Sequence, residues 1–205
     1  MARRGINYSL NRLHESLAAL GSPHRHLPPV LHIAGTNGKG SVAHYLTQGL
    51  MAMNKRVLTY TSPHILHYNE RFKINDVPIT DMQFAHLFER IHIADQKDEL
   101  SEYECLTLMA FELSIQVKPD YLILETGLGG RLDATNAVPN SLAIITDIGL
   151  DHTELLGDSL ASIATEKAGI IKPNSHVFTH MDHPTPVMEA IKHKAKKEQA
   201  TLHWA

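Results

Sequence analysis

Cysteine is all but missing from this chain. The single thiol, Cys105, allows no internal disulfide and points to a reducing, cytoplasmic setting. A basic excess is also missing: a formal charge of -3 over 205 residues argues against a dedicated nucleic-acid binder. No apolar run reaches membrane-spanning length, so no membrane partner is expected. The opening Met-Ala-Arg-Arg has no apolar core after it, and no signal peptide is read there. Internal repeats and low-complexity tracts are absent as well. What remains is a chain long enough for one sizeable α/β domain, or a domain plus part of another. Fifteen histidines are the compositional oddity. Most read as surface or turn residues, and a metal role for any one needs supporting context.

The hydrophobic pattern alternates between two periods. Leu10, Leu13, Leu17 and Leu20 repeat at helical spacing, and Gly21 with Pro23, Pro28 and Pro29 closes that segment. Val30 to Ala34 and Arg56 to Tyr60 read as strands, with a helix from Val42 to Met53 between them. Residues 61–80 read as a long irregular loop, which in a compact domain is usually functional. Helices are expected from Thr80 to Ala94 and from Ser101 to Val117, each opened by a hydroxyl. Tyr121 to Glu125 and Leu142 to Asp147 are near-continuous apolar runs that suit strands buried on both faces. A helix at 159–168, a strand at 175–179, a helix at 186–200 and a strand at 201–204 complete the chain. This βα alternation predicts an α/β fold, a mostly parallel sheet with helices on both faces.

Gly35, Thr36, Asn37, Gly38, Lys39, Gly40 and Ser41 follow the first strand and precede a helix. A strand that turns through glycines into a helix N-terminus makes an anion site, because free N–H groups and the helix dipole both favour negative charge. Lys39 adds a full positive charge, and Ser41 can offer its hydroxyl to Mg²⁺. The generic phosphate-loop pattern is broken twice. Gly40 separates Lys39 from Ser41, and Ile33 stands where a first glycine is usual.

In an open parallel sheet, ligands bind beyond the carboxyl ends of the strands. Ser41, Ser62, Glu125, Asp151 and His152 all fall there. A carboxylate, hydroxyls and one imidazole suit Mg²⁺ or Mn²⁺ better than zinc. Residues 127–136 follow Glu125 directly, with three glycines that permit tight turning. Arg131 and Asp133 read there as a solvent-facing ion pair or as ligand-binding charges. Lys167, within a predicted helix, reads on residue physics alone as a solvated surface charge.

Five segments, HIAGTNGKGS, TSPHILHYNER, LETGLGGRLDATN, GLDHTELLG and TEKAGIIKP, stand in order between residues 32 and 173. Together they resemble the folylpolyglutamate synthase and dihydrofolate synthase branch of the Mur ligases. That resemblance implies a phosphate-loop central domain and ATP-dependent amide formation. A substrate carboxylate would attack the γ-phosphate of ATP, and L-glutamate would then displace phosphate from the acyl phosphate. The acceptor would be dihydropteroate, a reduced folate, or both. Residues 35–41 would hold ATP, with Lys39, His152 and Lys167 in catalytic roles. Ser41, Ser62, Glu125, His152 and Lys167 would hold two Mg²⁺ ions, with Lys167 carried as a carbamate. Ser101, Glu102, Tyr103, Glu104, Arg131, Leu132, Asp133 and Ala134 would face the pterin substrate.

The resemblance also implies a monomer whose 205 residues form the central domain, stopping before a second, glutamate-binding α/β domain. Two departures stand out. The family's N-terminal Asp-Leu-Gly-Leu-x-Arg block survives here only as Leu10 and Arg12, and His67 replaces a common arginine. A non-catalytic nucleotide-binding remnant, a phosphate-loop kinase or hydrolase, and a Mur-type ligase with another acceptor remain alternatives at this stage.

Overall fold

The structure is a computed structural model that describes residues 10–205. Of the weak N-terminal block, Asn7, Tyr8 and Ser9 lie outside the described residues. The order runs α1 (Asn11–Ala19), β1 (Val30–Ala34), α2 (Lys39–Ala52), β2 (Val57–Tyr60), β3 (Phe72–Ile74) and β4 (Val77–Pro78). It continues with α3 (Asp81–Ala94), α4 (Glu102–Val117), β5 (Tyr121–Glu125), β6 (Leu142–Ile145) and the short α5 (Thr153–Leu156). The last elements are α6 (Leu160–Ala168), β7 (His176–Thr179), α7 (Thr185–Lys197) and β8 (Thr201–Trp204).

The strands form one eight-stranded sheet in the order β4-β3-β2-β5-β1-β6-β7-β8. The five pairs β2–β5, β5–β1, β1–β6, β6–β7 and β7–β8 are parallel, and the β2–β3 and β3–β4 pairs at one edge are antiparallel. The predicted α/β class is therefore observed. The helices divide unequally between the faces. Successive strand residues point to opposite sides. Val30 and Ala34 of β1, with Leu122, Leu124, Ala143 and Ile145, pack under α1, α3, α4, α6 and α7. Ile33, Ile123 and Val57 face the other way, where α2 supplies Ala43, Leu46 and Leu50.

Two expectations change. The helix after the first strand begins at Lys39, three residues earlier than its apolar pattern suggests. Gly38 at φ 82° turns the chain, and Gly40 sits inside the first helical turn. Residues 61–80 are not wholly irregular. Asn75 and Asp76 both take left-handed backbone angles, φ 49° and 62°, and close the β3–β4 hairpin by a two-residue turn. Ser101 and Thr80 do cap their helices, each in a reciprocal capping box with residue 104 or 83. Cys105 is unpaired, and no described helix is long and apolar enough to cross a membrane.

Candidate phosphate-binding site

β1, β2, β5 and β6 are neighbours, so their carboxyl ends deliver Gly35, Ser62, Glu125 and Thr146 to one sheet edge. The loop after β1 is held from β6. Thr36 N–H donates to the Asp147 carbonyl at 2.7 Å, and the Thr146 hydroxyl donates to the Asn37 carbonyl at 2.7 Å. A Cβ on Gly35 would lie 1.8 Å from Thr146 Oγ1, so only glycine permits this approach. The Thr36 hydroxyl bridges the Gly149 carbonyl and N–H, both at 3.1 Å, which ties the 149–152 loop to the same edge.

The Asp147 carbonyl also accepts from Asn37 N–H at 3.4 Å, so the Thr36 and Asn37 amides are both occupied. The N–H groups of Lys39, Gly40 and Ser41 belong to the first turn of α2 and have no acceptor within the helix. They face the edge together with the positive end of the helix dipole. Lys39 Nζ folds over its own loop, donating to the Gly35 carbonyl at 2.9 Å and the Thr36 carbonyl at 3.2 Å.

Lys167 corrects the residue-level expectation. It is 4% exposed, not a solvated charge, and its Nζ donates to the same Gly35 carbonyl at 2.8 Å. Burial, then the nearby Lys39 charge, pull its pKa down to about 8. Glycines bring the lysine's helix this close. A Cβ on Gly130 would stand 2.8 Å from the carbonyl oxygens of Glu166 and Lys167, and one on Gly169 would strike Arg131 at 2.4 Å.

Glu125 ends β5 with its carboxylate 4% exposed. Its Oε2 accepts from Ser62 N–H at 3.2 Å and lies 3.9 Å from where a Cβ on Gly40 would sit. Burial raises its pKa, while the Ser62 amide and Lys39 pull it back. A buried carboxylate so thinly solvated favours an incoming cation. Ser41 is exposed in the first turn of α2. His152 shares the edge but points outward, 55% exposed, with Nε2 3.7 Å from Asp151 Oδ1 and φ at 47°. The backbone of this histidine sits in the left-handed region that non-glycine residues rarely adopt.

On the substrate side the expected residues separate. Arg131 does not pair with Asp133. It forms a two-pronged pair with Glu166, at 2.9 and 3.0 Å, at the protein surface. Asp133 is buried and accepts five hydrogen bonds, from Gly127 and Leu128 N–H, Thr135 N–H and hydroxyl, and Tyr103 Oη. It therefore organises the glycine turn from within. Ala134 is buried and starts a short 3₁₀ turn, and Leu132 is half-buried beside it. Ser101 and Glu104 close the capping box of α4, and Glu104 also binds Arg12 of α1 at 2.8 Å. Glu102 is exposed and bonds Tyr68 of the loop at 61–71, and Tyr103 is half-buried. Tyr103 lies where a Cβ on Gly127 would come within 2.5 Å of its ring.

Three residues escaped sequence reading. Thr146 and Asp147 cradle the phosphate loop from β6, and His32 braces Asp133 from β1. His32 is fully buried, with Nε2 2.8 Å from Thr135 Oγ1, and burial holds its pKa down at about 3. Its alternation with Leu31 and Ile33 placed it on an inward face, which was the one available signal.

A parallel sheet with a glycine-turned helix N-terminus, two converging lysines and a buried carboxylate defines a phosphate-binding α/β domain. Residues 33–204 match the Mur ligase middle domain, and the chain belongs to that family. It is similar to a dihydrofolate synthase/folylpolyglutamate synthase of Bacillus subtilis, 37% identical over 203 residues, covering 96% of this chain and 47% of that protein. The E. coli FolC structure in complex with DHPP and ADP superposes with a TM-score of 0.91 at 36% identity, covering 98% of this chain and 47% of that one. A Mycobacterium tuberculosis folylpolyglutamate synthase complexed with ADP does so with a TM-score of 0.91, again at 36% identity and with the same coverage. The chain thus spans about half the length of these relatives.

Proposed function

We propose that this chain is the nucleotide-binding part of an ATP-dependent ligase that joins L-glutamate to dihydropteroate or a reduced folate through an acyl phosphate. The observation that carries the reading is the convergence of the α2 N-terminus, Lys39, Lys167 and Glu125 at one sheet edge. The relatives' ADP complexes support a nucleotide at that edge.

Each residue then has a task. The N–H groups of Lys39, Gly40 and Ser41 receive phosphate oxygens, while Thr36 and Asn37 hold the loop in shape. Lys39 stabilises negative charge as the phosphoryl group moves to the substrate carboxylate. Glu125 and Ser41, with Ser62 beside them, fit a hard divalent cation, since the buried carboxylate lacks a full set of donors. Mg²⁺, when bound there, neutralises charge on the transferring phosphate. His152 stands exposed on the tethered 149–152 loop, able to turn toward that cation.

Lys167 suits carbamylation, in which its neutral amine adds to CO₂ and releases a proton. A pKa near 8 leaves roughly a tenth of the amine neutral at neutral pH, against about four in ten thousand for an ordinary lysine. The product would carry negative charge next to Lys39, a second place for a cation.

Calorimetric titration with ATP and Mg²⁺ tests the reading. Lys39→Ala should weaken binding about 10–100-fold, the worth of a charge-assisted contact of about 1.5–3 kcal/mol. Equal affinity in a folded variant would overturn it. Nucleotide binding without glutamate-dependent phosphate release would confine the role of this chain to nucleotide binding.

A further inference from the structure

One histidine cluster lies outside the site above. β7 ends at the same carboxyl edge as β6, and its exit loop carries His180 and His183. One ligand atom each from Asp147, His180 and His183 lies within 4.8 Å of the other two. The two imidazole rings are 3.7 Å apart between centroids. His183 is 7% exposed, and its Nδ1 is buried without a hydrogen-bond partner.

The protonation of that ring follows from its neighbours. His183 Nε2 lies 2.8 Å from Thr179 Oγ1. The Thr179 hydroxyl donates its own proton to the Ile145 carbonyl at 2.9 Å. It therefore accepts from His183, which puts the ring proton on Nε2 and leaves a bare lone pair on Nδ1. A buried acceptor with no donor costs about 1–3 kcal/mol. An imidazole whose second nitrogen is anchored by a hydrogen bond is the usual arrangement of a metal ligand.

We propose that Asp147, His180 and His183 form a binding site for a late first-row divalent metal such as Zn²⁺, separate from the phosphate-loop cation. Two imidazoles and a carboxylate select Zn²⁺ or Co²⁺ over Mg²⁺, which prefers oxygen alone. Three protein ligands leave a fourth position for water. The site touches the phosphate loop through Asp147, whose carbonyl accepts from Thr36 N–H and whose Oδ2 accepts from Asn37 Nδ2 at 3.2 Å. Metal there would brace the corner that shapes the loop.

Titration with Co²⁺ in the absence of nucleotide, followed by visible absorption, tests the site, with Zn²⁺ displacing Co²⁺ in a second titration. One metal per chain with a four-coordinate cobalt spectrum is expected. His180→Ala removes a half-exposed side chain and preserves the fold; it should weaken binding by more than about tenfold. Thr179→Val keeps all three ligands but frees the ring, and should cost about 10–100-fold. The exposed His176–His203 pair, with nitrogens 2.8 Å apart, is the rival site. His176→Ala should change nothing. Loss of binding in His176→Ala, full binding in His180→Ala, or no stoichiometric Zn²⁺ in the wild type would each overturn the proposal.

Discussion

Asp133→Asn tests whether the glycine turn is built around a buried charge. Asparagine copies the shape but keeps one acceptor oxygen. Its best orientation leaves that oxygen toward Thr135 and Tyr103, where three donors converge. The new amide then points its own hydrogens at Gly127 and Leu128 N–H, which now bond Oδ2 at 2.9 Å each. Two donors left unmet cost about 1–3 kcal/mol apiece. An opposing effect exists. Burial raises the Asp133 pKa, so the ionised carboxylate itself costs stability at neutral pH, and asparagine removes that cost. The orphaned donors outweigh it, leaving a net loss of about 2–3 kcal/mol. Urea denaturation at neutral pH measures the loss, and hydrogen exchange should show it first at the Gly127 and Leu128 amides. A change below about 0.5 kcal/mol, the range of ordinary surface substitutions, would refute the reasoning.

Gly130→Ala should destabilise by about 1–3 kcal/mol in thermal denaturation, because its Cβ would meet two backbone carbonyls of α6 at 2.8 Å and neither can swing aside. The same change should weaken nucleotide binding through the displaced Lys167. Acid should unfold the protein partly through His32. The unfolded chain takes up a proton below pH 6.5 while the folded ring takes none until about pH 3, so stability falls as pH drops through that window. The slope is about 1.4 kcal/mol per pH unit, or about 2 kcal/mol between pH 6.5 and 5. His32→Gln should remove that contribution in matched denaturant titrations, and an unchanged slope would refute the assignment.

Much of the fold was legible because it is local. The strands at 30–34 and 121–125 and the capped helices at 81–94 and 102–117 follow from hydrophobic period and hydroxyl caps, which need no distant partner. The phosphate loop was legible for the same reason, since glycines, a lysine and a helix start are neighbours in the chain. Roles set by distant contacts were not. Lys167 reads as a surface charge until Gly130 and Gly169 let α6 close against the turn, and Arg131 finds Glu166, 35 residues away, instead of Asp133. The left-handed Asn75–Asp76 turn was a missed local signal. By itself, then, the sequence determined the βα order and the anion-binding turn, because both rest on short-range backbone geometry. Tertiary structure alone decided which charges are buried, which are paired and which stay open to a ligand, because burial and pairing depend on what folds over each residue from far along the chain.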